Sequence, residues 1–83
     1  MTSTIEISLY PLNNQYPDSV LRFLQKLREH QGIEITTNGM STLLTGEFNT
    51  LWAVLGQLME WEFQQEDSVF VLKVAAGRRE YIE

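Results

Sequence analysis

The chain has no cysteine. That excludes disulfides, thiolate nucleophiles and thiolate metal sites. Histidine is nearly absent too: one imidazole, His30, stands among 83 residues, so a metal would have only that group and carboxylates, a poor zinc set. Basic residues are scarce. Six Lys and Arg face eleven Asp and Glu, for a net charge of −5, whereas nucleic-acid binding needs a basic stripe. No apolar run approaches the roughly 18 residues of a membrane span. Met1-Thr2-Ser3-Thr4 lacks the basic and apolar regions of a secretory signal. Gly39 and Gly46 are isolated, so there is no glycine-rich phosphate loop. These absences lead to the expectation of a cytoplasmic protein with no nucleic-acid partner and no membrane partner.

What is present suffices for one small globular domain. Hydrophobic residues make up 43% of the chain, with two Trp, which argues against disorder. A chain of this length buries only about 60–65% of its unfolded surface, so oligomerisation would add to a thin core. Residues 1–83 are read as a single domain with a core of about residues 4–77. Arg78 to Glu83 form a short tail, expected to be solvated.

Ile5, Ile7 and Leu9 alternate with Glu6, Ser8 and Tyr10, the period-2 pattern of a half-buried strand. Pro11 closes it and Asn13-Asn14 mark a loop. Tyr16-Pro17-Asp18-Ser19 opens a helix with Val20, Phe23, Leu24 and Leu27 on one face, and Gly32 stops it. Ile33 to Thr37 reads as a second strand. Asn38-Gly39 fits a tight hairpin turn, because both residues tolerate positive φ. A third strand runs from about Ser41 to Phe48. Asn49 or Thr50 is the expected cap of a second helix, whose core stripe is Phe48, Leu51, Trp52, Leu55, Leu58 and Met59. Val54 and Trp61 fall off that stripe, and they or the fourth strand are expected at a subunit contact. Glu60, Glu62, Glu66 and Asp67 are expected on a solvated face. Ser68 to Ala76 is a fourth strand, apolar on nearly every position, as in a protected sheet interior or an interface.

The order βαββαβ specifies an α+β, ferredoxin-like sandwich: a four-stranded antiparallel sheet with two helices on one face. The other face is uncovered. Glu6, Ser8 and Tyr10 should line it, and Asn38, Ser41, Thr42, Thr45 and Glu47 are candidates to join them. Together they offer carboxylate acceptors, hydroxyls, an amide and a phenol ring, a set able to orient a small heterocycle. The bland alternative is equally physical: hydroxyls are common in edge strands, and Asn38 is there for the turn. Catalysis has less material. His30 sits at a helix end, where the dipole favours a charged imidazole. The loop after the first strand lacks the Arg that an acylphosphatase uses. An RNA-recognition sheet would carry more aromatic and basic residues. A small monooxygenase-like dimer would need a reactive pocket for which only His30 and the Trp pair are available.

Ile7-Ser8-Leu9-Tyr10-Pro11-Leu12, then Thr37-Asn38-Gly39-Met40-Ser41-Thr42 and Gly46-Glu47, resemble the thiamine-binding (YkoF-like) family of small ferredoxin-like proteins. The likeness runs from about Ile5 to Gly77 and includes Val69 to Val74. The resemblance implies binding and no enzymatic activity: thiamine or its hydroxymethylpyrimidine part as ligand, no other cofactor and no metal, with a role in vitamin salvage or transport. It also implies a homodimer or homotetramer. Ser8, Tyr10, Asn38, Met40, Ser41 and Thr42 are the contacts it carries over; Glu6 and Glu47 are added on chemical grounds. The alternative is a homo-oligomeric structural or regulatory interaction domain without this ligand.

Overall fold

The computed structural model describes residues 1–12 and 18–79; the readings placed on Asn13-Asn14, on Tyr16-Pro17 and on the chain after Arg79 lie outside the described residues. The elements are β1 (Thr2–Pro11), α1 (Asp18–Leu27), β2 (Glu34–Thr37), β3 (Thr42–Glu47), α2 (Phe48–Gln65) and β4 (Ser68–Ala76). The strand order is β2-β3-β1-β4, with every neighbouring pair antiparallel. This is the ferredoxin-like α+β sandwich that the sequence order specifies.

The alternation in β1 decides the two layers. Ile5, Ile7 and Leu9 are buried and pack with Leu44 of β3, Phe23 and Leu27 of α1, and Leu51, Leu55 and Leu58 of α2. Each fully buried side chain of this size contributes about 1.5–3 kcal/mol relative to exposure. Val54 belongs to this cluster at 8% exposure, so it is not available to a subunit contact. The α2 stripe is rotated from the expected one: Trp52 is 38% exposed and stands edge-on to Phe48, with ring centroids 6.2 Å apart. α2 also starts before Asn49. Glu47 is its N-cap, its Oε2 accepting from the Thr50 N–H at 2.8 Å and from Thr50 Oγ1 at 3.1 Å.

Among the described residues β4 pairs only with β1 and is an edge strand, so of the two expected settings, a sheet interior or an interface, it does not occupy the first. Phe70 and Leu72 pack on the core, whereas Val69 and Val71 are exposed. Being apolar on both faces does not by itself place a strand centrally.

The acidic end of α2 also departs from expectation. Glu62 is fully buried and Glu66 nearly so, with side-chain exposures of 0% and 4%. Arg22 of α1 lies between them. Its Nη2 donates to Glu62 Oε2 and, at 3.1 Å, to Glu66 Oε1, while Nε donates to Glu62 Oε1 at 3.3 Å. The hydrogen bond to Glu62 raises the Arg22 pKa further above its ordinary value, against the opposing effect of burial. Ser19 Oγ also donates to Glu66. The ring of Trp61 lies under the Arg22 guanidinium at 5.6 Å and the Lys26 ammonium at 5.2 Å. Two carboxylates at a helix C-terminus are unfavourable for the dipole, and the cation from α1 offsets them. Arg22→Ala removes the guanidinium that lies between the two carboxylates and leaves the buried Glu62 without it. The expected loss is about 3 kcal/mol, the low end for breaking a buried pair because Arg22 is partly exposed. Denaturant unfolding of the variant measures it; an unchanged midpoint would show that the cluster does not hold α1 to α2.

Candidate functional site

β1 is longer than its partner. Its pairing with β3 ends at Ile7↔Thr42, while its pairing with β4 continues to Pro11↔Ser68. A notch therefore opens in the sheet beside residues 8–11. The β2–β3 hairpin loop lies across one side of it and α1 lies beneath.

The loop is not the two-residue primed turn expected of Asn-Gly. Neither Asn38 nor Gly39 has positive φ, and the flanking pair is Thr37↔Thr42, so residues 38–41 form the connection. The Asn38 side chain organises it. Asn38 Oδ1 accepts from the N–H of Met40 at 2.7 Å and of Ser41 at 3.1 Å, and the Asn38 N–H donates to the Ser41 carbonyl at 3.1 Å. This is an Asx turn, which needs no left-handed residue. It leaves Met40 at the tip, 88% exposed.

The notch is a small open groove, about 460 Å³ when the solvent at its mouth is included. Its floor is apolar: Ile7, Leu9, Val20, Phe23 and Leu24. Its rim carries Ser8, Tyr10, Asn38, Met40 and Ser41, and Thr42 lines it from within. The structure thus brings together the first-strand and hairpin candidates, which the sequence separates by about thirty positions. Ser41 Oγ donates to Glu6 Oε2 at 3.2 Å, tying the loop to the face of β1 that carries Ser8 and Tyr10. Lys73 Nζ lies 3.7 Å from the other Glu6 oxygen. Thr42 points the other way, toward the helices, and shares a hydrogen bond with Thr37 Oγ1 at 2.9 Å.

Glu47 does not join this group. It pairs with Thr2 at the opposite end of β1, and its carboxylate caps α2. The Thr50 and Asn49 N–H groups hold its carboxyl below the ordinary glutamate range. Thr45 lies on the same face as Glu6 but toward that far end, opposite Thr4. Thr37 and the α1 wall of Val20, Phe23 and Leu24 join the groove without a sequence signal: Thr37 read as an ordinary strand residue and the three apolar residues as core. His30 follows the far end of α1, its N–H donating to the Leu27 carbonyl at 3.2 Å. Among the described residues no group of three or more His, Asp or Glu could hold a metal, and no helix is long and apolar enough to cross a membrane.

The tail beyond β4 is pinned across the open face. Gly77, at φ 76°, turns the chain back over the sheet. Thr4 Oγ1 donates to the Gly77 carbonyl at 2.8 Å and accepts from the Arg79 N–H at 3.0 Å. Arg78 forks onto Glu34 of β2 at 2.6 and 2.7 Å. This strap, Gly77 to Arg79, covers the Thr4 end of the face.

No protein-family model matches the chain, and no curated protein matches it. Solved structures do. A protein from Streptococcus pneumoniae superposes with a TM-score of 0.84 at 20% identity, over 94% of this chain and 89% of that one. A Thermotoga maritima protein assigned provisionally to thiamine biosynthesis or salvage gives 0.83 at 18% identity, over 93% and 85%. A Bacillus cereus domain of unknown function, DUF77, gives 0.75 at 16% identity, over 93% and 77%. At these identities the likeness establishes the fold.

The strap carries a pH dependence. The hydrogen bond from Arg78 lowers the Glu34 pKa below its ordinary value. The contribution of the pair is therefore complete above about pH 4.3, the unperturbed glutamate value. It is lost as pH falls through the lower native value. In an NMR titration the Arg79 amide should leave its Thr4 position in that acidic window, and in Glu34→Gln it should be displaced already at neutral pH. An Arg79 amide unmoved in both cases would show that the Arg78–Glu34 pair does not hold the strap.

Proposed function

We propose that this chain is a non-enzymatic binding protein for thiamine or its hydroxymethylpyrimidine part, acting in vitamin salvage or transport. The observation that carries this reading is the Ser41–Glu6 contact beside an apolar-floored groove. A carboxylate that already accepts a hydroxyl proton can accept an amino proton as well. Ser8 supplies a hydroxyl donor for a ring nitrogen, and Ser41, its own proton given to Glu6, offers lone pairs to the amino group. Tyr10, 52% exposed at the rim, supplies a ring for stacking. The apolar floor takes the methyl-bearing face of a pyrimidine, and the net charge of −5 suits a cationic thiazolium. The provisional assignment of the Thermotoga maritima structure to thiamine biosynthesis or salvage supports the same ligand class.

Isothermal titration of the folded protein with thiamine and with hydroxymethylpyrimidine tests the proposal. Saturable binding is expected. Ser41→Ala should weaken it by about 1–3 kcal/mol, roughly 5- to 150-fold, the effect of losing a partly buried hydrogen-bond partner. No heat at millimolar ligand would overturn it.

A second reading rests on a separate observation. Val69 and Val71 leave an apolar strip on the open face of an edge strand whose outer side has no sheet neighbour among the described residues. Such a surface favours association of copies of this chain as a homodimer or homotetramer, either alongside ligand binding or as the chain's sole structural or regulatory role. Val71→Lys should lower the mass measured by light scattering at micromolar concentration. A wild-type monomer under those conditions would overturn the association.

A further inference from the structure

Main-chain groups in β1 alternate between its two neighbours. The Met1 carbonyl accepts from Phe48 N on the β3 side, whereas the Thr2 carbonyl accepts from Gly77 N and Leu12 N donates to Asp67 O on the β4 side. The register with each neighbour is constant along its length, with no bulge. Even-numbered residues of β1 therefore turn N–H and C=O toward β4, and odd-numbered residues turn them toward β3. Ser3, Ile5 and Ile7 meet Gly46, Leu44 and Thr42 in turn. The next odd residue is Leu9, and the same register would place Met40 opposite it. β3 begins only at Thr42, and the Met40 N–H is held by Asn38 Oδ1. Leu9 thus aims its N–H and C=O into the groove, where no described residue bonds them. Pro11, the odd residue after it, has no N–H to lose.

We infer that the Leu9 main chain is a ligand-binding edge: one donor and one acceptor, side by side, for a planar heterocycle whose ring nitrogen adjoins an exocyclic amino group. The ring nitrogen accepts from the Leu9 N–H and the amino group donates to the Leu9 C=O. The length of the edge selects this occupant. An added β-strand needs several successive ladder positions, and this edge offers one before Pro11 ends it. Leu9 is only 7% exposed. A hydrogen bond made there is shielded from water, and a main-chain pair left unmatched there is unfavourable. The inference deepens the proposed function by stating which edge of the pyrimidine is read and by what. It also explains how a rim with few charged side chains would still distinguish heterocycles.

Amide NMR on the labelled full chain provides the test. In the free protein the Leu9 amide should exchange with solvent faster than those of Ser8 and Tyr10, which bond β4. Saturation with 4-amino-5-hydroxymethyl-2-methylpyrimidine should shift the Leu9 amide and slow its exchange by about tenfold or more, and the 4-dimethylamino analogue should bind about tenfold more weakly. A Leu9 amide as slow as its neighbours in the free protein would overturn the inference. So would binding of the pyrimidine with the Leu9 amide unchanged, an outcome that leaves the vitamin-binding proposal standing. A 2-aminopyridine probe separates the remaining cases. A Leu9 response to it without any response to thiamine or the pyrimidine sinks the vitamin reading and supports the edge; silence toward all three sinks both.

Discussion

The groove exists because β1 outruns β3. β1 is held on one side by β4 along nearly its whole length and on the other by β3 only as far as Ile7. Four residues are then paired on one side alone. The side chains of Ser8 and Tyr10 point to the open face, those of Ile7 and Leu9 point to the helices, and the notch beside them connects the two. Pro11 fits this arrangement, since its missing N–H falls on the side that has no partner. A β3 longer by two residues would put Met40 against Leu9 and leave no groove.

The hairpin loop reinforces that limit. Its Asx turn uses the Asn38 side chain to bind the very N–H groups that would otherwise continue the ladder. Ser41, the last loop residue, then lands against Glu6. One amide side chain thereby ends the strand and positions a hydroxyl over β1. The helix beneath must stay fixed for the floor to persist. Arg22 between Glu62 and Glu66 secures the first turns of α1, which also supply Val20, Phe23 and Leu24 to the groove.

The open face divides into three zones with different chemistry. The Thr4 end is covered by the chain itself, through Gly77 to Arg79. The middle carries Glu6 and Lys73. The far end combines Tyr10 with the valines of β4. Self-coverage at one end concentrates the remaining exposed apolar surface next to the groove, so ligand binding and association of copies would draw on neighbouring surfaces.

The sequence by itself determined the element order, the inward face of β1 and the ferredoxin-like sandwich, because those follow from period-2 and period-3.6 burial patterns and from turn chemistry over a few residues. It also marked Ser8, Tyr10 and the Asn38–Thr42 segment as chemically mixed. Its errors came where distant residues meet. Val54 and Trp52 exchanged places because helix rotation is decided by what the helix packs against. Glu62 and Glu66 read as solvated because their partner, Arg22, is forty residues away. The apolar pattern of β4 left a sheet interior and an interface both open, because strand order is a property of the assembled sheet. The Asn-Gly pair read as a primed turn, although Asn38 can organise a longer loop through its side chain. The groove itself, and the free edge at Leu9, were decided only in the tertiary structure. They are a difference in length between two paired strands, and no single segment encodes a difference.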